Sequence, residues 1–417
     1  MTLRPACSCL ACFSFALLFQ HDSNTVWGGA DCLFLHRGAL DNDNPYLKSS
    51  VLHQWIFSYE LPDTIIVLTK GGDFYMLATK KKCEFIRPAA DTLQKKTSGI
   101  QNIHLLVRNK ESNTENYDKL WKAAGLDKGK LQVGVIMKER ASNLSGGGIL
   151  APWETKLTEA QEAEEVALVD VTAGISFVMS VKDAVELDLM KKSSVLSNKV
   201  MKHGYVKKME QIIDSEKTIT HEDLATYVEE ILEDPSIIGL KVPQEDVQSC
   251  YFPIIQSGGN YDLKVSAQST SDKLSSDIIT VSFGARYRSY CSNIARTFLV
   301  DPPKKVSETY EILLELQEAC LAAMTPGQPI KAVYKAATKF LEDRAPHLVG
   351  HLTKNLGFAT GIDFREQNFI LSSKNSATIK EGMVFCLNIG LQDVELTEED
   401  RNASADKSPV SLSCLGY

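Results

Sequence analysis

The sequence lacks the marks of several large protein classes. Outside the first dozen residues, no two of its ten cysteines fall at zinc or redox spacing, which argues against zinc ribbons and thioredoxin-like sites. The loop SNLSGGGILAP (142–152) holds three glycines but no following Gly-Lys-Ser/Thr, so no P-loop phosphate cradle is expected. No solenoid period and no sustained heptad is present. Positive charge is not in excess: 45 Lys and Arg against 53 Asp and Glu leave a net charge of −8. Such a balance argues against the phosphate backbone of nucleic acid as the main partner and suits basic partners. A membrane-length apolar run is missing too, because ACSCLACFSFALLF (6–19) is too short and too poorly flanked to span a bilayer. As a secretory signal that run has only Arg4 ahead of it and no disulfide framework behind it. Cys7, Cys9 and Cys12 within it form no recognised metal or lipidation motif. Residues 1–29 are therefore expected to be a divergent N-terminal segment, and the other thiols small buried apolar groups of a reducing compartment.

What is there reads as an ordinary globular chain. With 417 residues, 44% hydrophobic and 24% charged, it can bury the cores of two or three domains. CLFLH (32–36), DTIIVLTK (63–70), DFYMLA (73–78), IHLLVR (103–108) and LQVGVIM (131–137) are short apolar runs bounded by Gly, Asp or Lys, as strands are. Helical stretches such as LKSSVLHQWIFSYE (47–60) sit between them, which predicts a first α/β domain over residues 30–176.

The pattern then changes. VKDAVELDLMKKSSVLSNKVMKH (181–203) predicts a long helix, and a second follows with Thr220 as its cap. SCYFPIIQSGG (249–259) and DIITVSFGARYRSYCSNIARTFLVD (277–301) read as extended, the latter as an antiparallel hairpin. Two helices over 306–324 and 330–341 precede strand candidates ATGIDFRE (359–366) and GMVFCLNIGL (382–391). The predicted class is α+β, with a second domain over 177–396 and a loose polar tail over 397–417.

Residues 181–391 resemble the pita-bread fold of aminopeptidase P, prolidase, creatinase and methionine aminopeptidase, in the order of the long helix, the SGGN step (257–260), the hairpin ending in ARTF and the EGMVF strand (381–385). The resemblance implies a creatinase-like N-terminal α/β domain ahead of a pita-bread domain that stops short of the family's last hairpin. In active members, two metal ions are held by two hairpin aspartates, one histidine and two later glutamates. Carried over position by position, the aspartates fall on Ser282 and Asn293, the histidine on Phe358 and the first glutamate on Asn388. The substrate-side histidines are replaced as well, with Lys264 after the SGGN step and Arg365 before Glu366. Two divalent ions about 3.5 to 4 Å apart need anionic ligands to offset their repulsion. Asparagine offers only a neutral oxygen and phenylalanine none. No metal, cofactor or catalytic residue is therefore expected. His347 and His351 have i, i+4 spacing but no intervening glutamate or third ligand, and are expected to be surface residues.

Longer strings sharpen the resemblance. WIFSYELPDTIIV (55–67), KKK before CEF (80–85), CYFPIIQSGGNYDLK (250–264), RYRSYCSNIARTFLVDP (286–302), NLGFATGIDFRE (355–366) and KEGMVFCLNIGL (380–391) resemble the N-terminal region of the large-subunit family of the FACT histone chaperone. That resemblance implies a nuclear, chromosome-associated, non-catalytic module with histones H3-H4 as partners. The outer core-histone dimer, the small HMG-type subunit and other replication or transcription proteins are further implied partners. Neither sequence-specific nucleic acid nor membrane is implied. Lys264, Arg365 and Glu366 are the candidate peptide-binding residues of the cleft. Two alternatives stand beside this reading: a divergent metal-dependent aminopeptidase or prolidase, and a protein-docking scaffold whose cleft is irrelevant.

Overall fold

The structure is a computed structural model describing residues 26–39, 44–94, 100–127, 129–141, 148–259, 261–264, 266–395 and 410–416. The apolar run with Cys7, Cys9 and Cys12 lies outside the described residues. The chain divides into two compact units, Met1–Met179 and Ser180–Tyr417.

The first unit is built on a six-stranded mixed sheet. Its elements are β1 (Cys32–Arg37), α1 (Lys48–Phe57), β2 (Thr64–Thr69), β3 (Asp73–Ala78), α2 (Lys80–Gln94), β4 (Asn102–Val107), α3 (Thr114–Ala123), β5 (Leu131–Val135), α4 (Leu150–Glu162), β6 (Val166–Asp170) and α5 (Thr172–Ser180). The strand order is β4-β3-β2-β1-β5-β6, with β2 antiparallel to both β1 and β3 and the β3–β4, β1–β5 and β5–β6 pairings parallel. Both β1 and β2 are buried along their whole length, which explains why CLFLH and TIIVLT read as unbroken apolar runs and not as alternating ones. Trp153 on α4 is fully buried against Phe34, Tyr117 and Trp121, and anchors the core on one face of this sheet.

Two details differ from the sequence-based expectation. Strand β6 was not foreseen, because its five residues follow a charged stretch with no glycine or proline to mark them. The ordered fold also begins before residue 30: Trp27 is fully buried, and its ring lies where any side chain larger than glycine at Gly174 would collide.

The second unit opens with α6 (Ala184–Lys199), started by an Asp183/Glu186 capping box. A π-turn over Val200–Tyr205 leads directly into α7 (Val206–Asp214). Thr220 caps α8 (His221–Glu233) through its hydroxyl, as the sequence predicts. Strands β7 (Val247–Ser249), β8 (Ile254–Ser257), β9 (Ile278–Phe283), β10 (Ala285–Tyr287), β11 (Tyr290–Cys291) and β12 (Ile294–Leu299) form two three-stranded sheets, β12-β9-β8 and β11-β10-β7. The hairpin expected over 277–301 is thus present, bent into two halves at Gly284. A Cβ there would meet the Ser292 carbonyl oxygen at 2.2 Å, so only glycine fits the bend. Helices α9 (Lys304–Ala323) and α10 (Lys331–Arg344) precede β13 (Asn355–Ala359), β14 (Glu366–Ser372), β15 (Phe385–Val394) and β16 (Val410–Gly416), ordered β14-β13-β15-β16.

The last sheet corrects two expectations. ATGIDFRE is not one strand: residues 360–365 form a turn in which the Gly361 N–H meets the Asp363 carbonyl and the Asp363 carboxylate accepts from the Arg365 N–H. The expected polar tail over 397–417 contains β16, antiparallel to β15 from Val394↔Val410 to Leu387↔Gly416. Its Val410, Leu412 and Cys414 alternate with serines, a period-2 pattern hidden by the polar lead of residues 397–409.

Candidate functional site

Two of the three sheets of the second unit, β12-β9-β8 and β14-β13-β15-β16, bring the four predicted ligand positions together. Ser282 lies near the end of β9, opposite Ala295 on β12 and Ile254 on β8. Asn293 stands one residue before β12, past the Gly284 bend, and is 4% exposed. Phe358 comes from β13 and pairs with Cys386, two residues before Asn388 on β15. All four line one cavity of about 40 Å³, with Lys264 at its edge. A space of that size admits a water molecule or two and no dipeptide.

What closes the cavity is Tyr251, whose role the sequence reading missed. Its hydroxyl donates to Asn293 Oδ1 at 2.5 Å and pairs with the Ser282 hydroxyl at 2.7 Å. The phenol therefore occupies the polar space between the two hairpin positions. Burial pushes its pKa well above the ordinary tyrosine value, so it remains a neutral donor. The ring packs on Phe364 at 5.1 Å, and Phe364 on Phe358 at 5.3 Å. Where the resemblance places a histidine ligand, three aromatic rings fill the volume. No local pattern marks it: Tyr251 stands three residues before β8 in the run Cys250-Tyr251-Phe252-Pro253.

The expected rim residues are dispersed. Lys264 is solvent-facing, its side chain 75% exposed and 3.7 Å from the Asp262 carboxylate. The loop that carries it is tied down at its base: the His221 and Glu222 N–H groups donate to the Asp272 and Thr270 carbonyls, and His221 Nε2 lies 2.7 Å from the Ser257 hydroxyl. Arg365 places its guanidinium 5.6 Å from the Phe358 ring centre, and desolvation lowers its pKa. Glu366 is only 2% exposed at the start of β14, out of reach of a ligand on the surface. His351 lies with His347 on a 3-10 turn over Pro346–His351, and its Nδ1 is 2.9 Å from the Gln392 carbonyl.

The donor set does not fit a metal pair. Among the described residues no three His, Cys, Asp or Glu side chains are grouped to hold a metal ion. At the four positions themselves stand a hydroxyl, two amides and a phenyl ring, with a phenol between them. No carboxylate there can offset the charge of two cations or bridge them.

Fold and site define a chain with the architecture of a metallopeptidase of the pita-bread type, with no acid and no histidine at the four positions predicted from the sequence. Residues 188–405 match the metallopeptidase family M24, and residues 13–174 match the FACT complex subunit SPT16 N-terminal lobe domain. An X-Pro aminopeptidase from Thermotoga maritima MSB8 shares the fold, with a TM-score of 0.62 at 16% identity, covering 92% of each chain. The N-terminal domain of FACT complex subunit SPT16 from Cicer arietinum (chickpea) superposes with a TM-score of 0.87 at 32% identity, covering 99% of this chain and 94% of that one. FACT complex subunit SPT16 of Arabidopsis thaliana is 35% identical over 397 residues, and that of Dictyostelium discoideum 37% over 383. The chain belongs to the SPT16 family of FACT complex subunits, as a counterpart of its N-terminal domain. It spans 36% of the length of the Arabidopsis relative and 35% of the Dictyostelium one, with 92% and 91% of this chain aligned.

Proposed function

We propose that this chain is a non-catalytic histone-binding module of a FACT-type chromatin chaperone, acting in the nucleus on nucleosomes during transcription, replication and repair. The observation that carries the non-catalytic half is the Tyr251 hydroxyl, hydrogen-bonded to both hairpin positions where metal-bridging carboxylates would stand. A water-sized cavity with no carboxylate or histidine at the four ligand-equivalent positions leaves no base there to activate water and no room for a scissile peptide. Family membership and the net charge of −8 support the histone half, because an acidic surface draws basic partners by long-range attraction. H3-H4 are the first partners to test, with the outer core-histone dimer second and the small HMG-type subunit third.

Lys264 and Arg365 are cationic, so they would serve a histone segment through its carboxylates or backbone carbonyls and not through its lysines. The deciding experiment is a pull-down of the 417-residue chain with H3-H4 and, separately, with the outer dimer, at low and at physiological salt. Retention of H3-H4 that weakens with salt is expected. A well-folded sample that retains neither pair would overturn the histone assignment. Cleavage of an X-Pro peptide, with stoichiometric Mn, Co or Zn in the same preparation, would restore the peptidase reading.

A further inference from the structure

Away from the cleft, the second unit carries a groove that neither catalysis nor an acidic histone-facing surface uses. One wall is the outer face of α6, where Lys192, Val195 and Lys199 succeed one another at i, i+3 and i+7, with Lys191 beside them. The other wall is the segment Leu240–Pro243 and the ring of Tyr287. The groove holds about 490 Å³, twelve times the closed cavity, and lies in the range of ordinary ligand sites. Its floor is apolar: Leu196 is buried beneath it, and Val195 is 53% exposed.

The charged residues that line it are all lysines. Of the nearby carboxylates, Asp188 is engaged with Lys192 at 2.6 Å and Asp246 with Arg288 at 2.7 Å, and Glu245 lies on the Arg288 side of the groove. Among the described residues no carboxylate lies within ion-pair distance of Lys191, Lys199 or Lys241. Leu240 also borders a second depression of about 470 Å³, where His203, Lys207 and Lys208 continue the basic face past the π-turn. On a chain with a net charge of −8, this concentration of lysine over aliphatic side chains is local and not a general property of the surface.

The hairpin tip beside Tyr287 is held against its preference. Arg288 and Ser289 both have positive φ, 47° and 73°, where a two-residue hairpin turn favours asparagine and glycine. The Arg288–Asp246 ion pair and the Arg288 N–H bond to the Asp246 carbonyl fix that tip at the edge of the groove.

We propose that this groove docks an acidic segment of a partner protein, one that sets aliphatic side chains on the Val195/Leu196/Leu240 floor and carboxylates toward Lys191, Lys199 and Lys241. A nucleic-acid strand would use the lysines but leave the aliphatic floor without a partner, and the acidic chain as a whole repels it. A basic histone tail is excluded by sign, so this face and the histone contacts are separate surfaces.

The test uses the 417-residue chain and fluorescence anisotropy with a dye-labelled glutamate-rich peptide carrying leucines at i, i+4 spacing. Saturable binding is expected, weakened at least about tenfold by the combined Lys191→Glu, Lys199→Glu and Lys241→Glu changes and several-fold by Val195→Asp. Replacing the peptide's glutamates by glutamine is expected to abolish it. All four substituted positions are exposed, so an unchanged melting temperature marks a folded variant. No saturable binding, equal binding by the triple variant, or a short DNA duplex bound as tightly as the peptide would overturn the proposal. Retention of H3-H4 by the triple variant is expected to be unchanged, which separates this outcome from that of the histone pull-down.

Discussion

Each unit buries a polar cluster, and the two clusters are built on opposite principles. In the first unit, Glu154 is fully buried on α4, 2.9 Å from His36 Nδ1 and 2.9 Å from Arg140 Nε. Burial alone would raise its pKa, but the hydrogen bonds and charges of His36 and Arg140 outweigh that and hold it below the ordinary value. In the second unit, the polar groups gathered around Tyr251 are neutral, a phenol, a serine hydroxyl and asparagine amides, and the charges of Asp262 and Lys264 stay at the cavity's edge. Charge is kept where it ties α4 to the sheet and is missing where a peptidase would need it. A folded cleft thus owes nothing to charge, and one that held metal would require it.

The largest expected effect comes from breaking the charged cluster. Glu154→Ala leaves His36 and Arg140 without their buried partner and is expected to cost about 3–5 kcal/mol. All four tryptophans, Trp27, Trp55, Trp121 and Trp153, belong to the first unit. Urea unfolding followed by tryptophan fluorescence therefore reads that unit alone.

Placing charge in the neutral cluster comes next. Asn293→Asp buries a carboxylate with one phenolic donor and is expected to destabilise the second unit by about 2–3 kcal/mol at neutral pH. Its folded pKa is raised, so the loss grows as pH rises above about 4 and fades in acid. Hydrogen exchange of β9 and β12 amides at two pH values checks it.

The native first unit should respond to pH in the opposite direction. Burial lowers the His53 pKa to about 3, and its Nδ1 accepts from the Leu61 N–H. The unfolded chain binds a proton near pH 6.5 that the folded chain refuses, so stability is lost as pH falls from about 6.5 toward 3. The slope for one proton is about 1.4 kcal/mol per pH unit, and the depressed pKa of Glu154 adds to the loss below about pH 4. Urea midpoints at pH 7 and pH 5 with the tryptophan signal are the check.

The smallest effect is expected for Tyr251→Phe. It removes one hydroxyl and leaves the Asn293 and Ser282 oxygens to a water, at about 1–2 kcal/mol. A loss above about 4 kcal/mol would mean that Tyr251 supports more of the fold than its two hydrogen bonds account for.

Much of this contrast was legible beforehand. Most strands of the first unit announce themselves as apolar runs because the sheet is buried, and Thr220 caps its helix by local chemistry alone. The predicted positions Ser282, Asn293, Phe358 and Asn388 converge on one cavity because the hairpin and the last sheet deliver them to it. Tyr251 was not legible, since its meaning depends on where β8 delivers a side chain and not on neighbours in sequence. The groove beside α6 was hidden for the same reason: Lys191 and Lys199 are ordinary helix lysines until the Leu240–Pro243 segment is folded opposite them. Strand β16 was missed because its short alternation follows a polar stretch.

The most direct test of the central claim is the metal content of the purified 417-residue chain after dialysis against excess Mn²⁺ and removal of free ion. The neutral cluster around Tyr251 predicts well under one ion per chain, unchanged in Tyr251→Phe. Two ions per chain, as a two-metal peptidase site would hold, would contradict it.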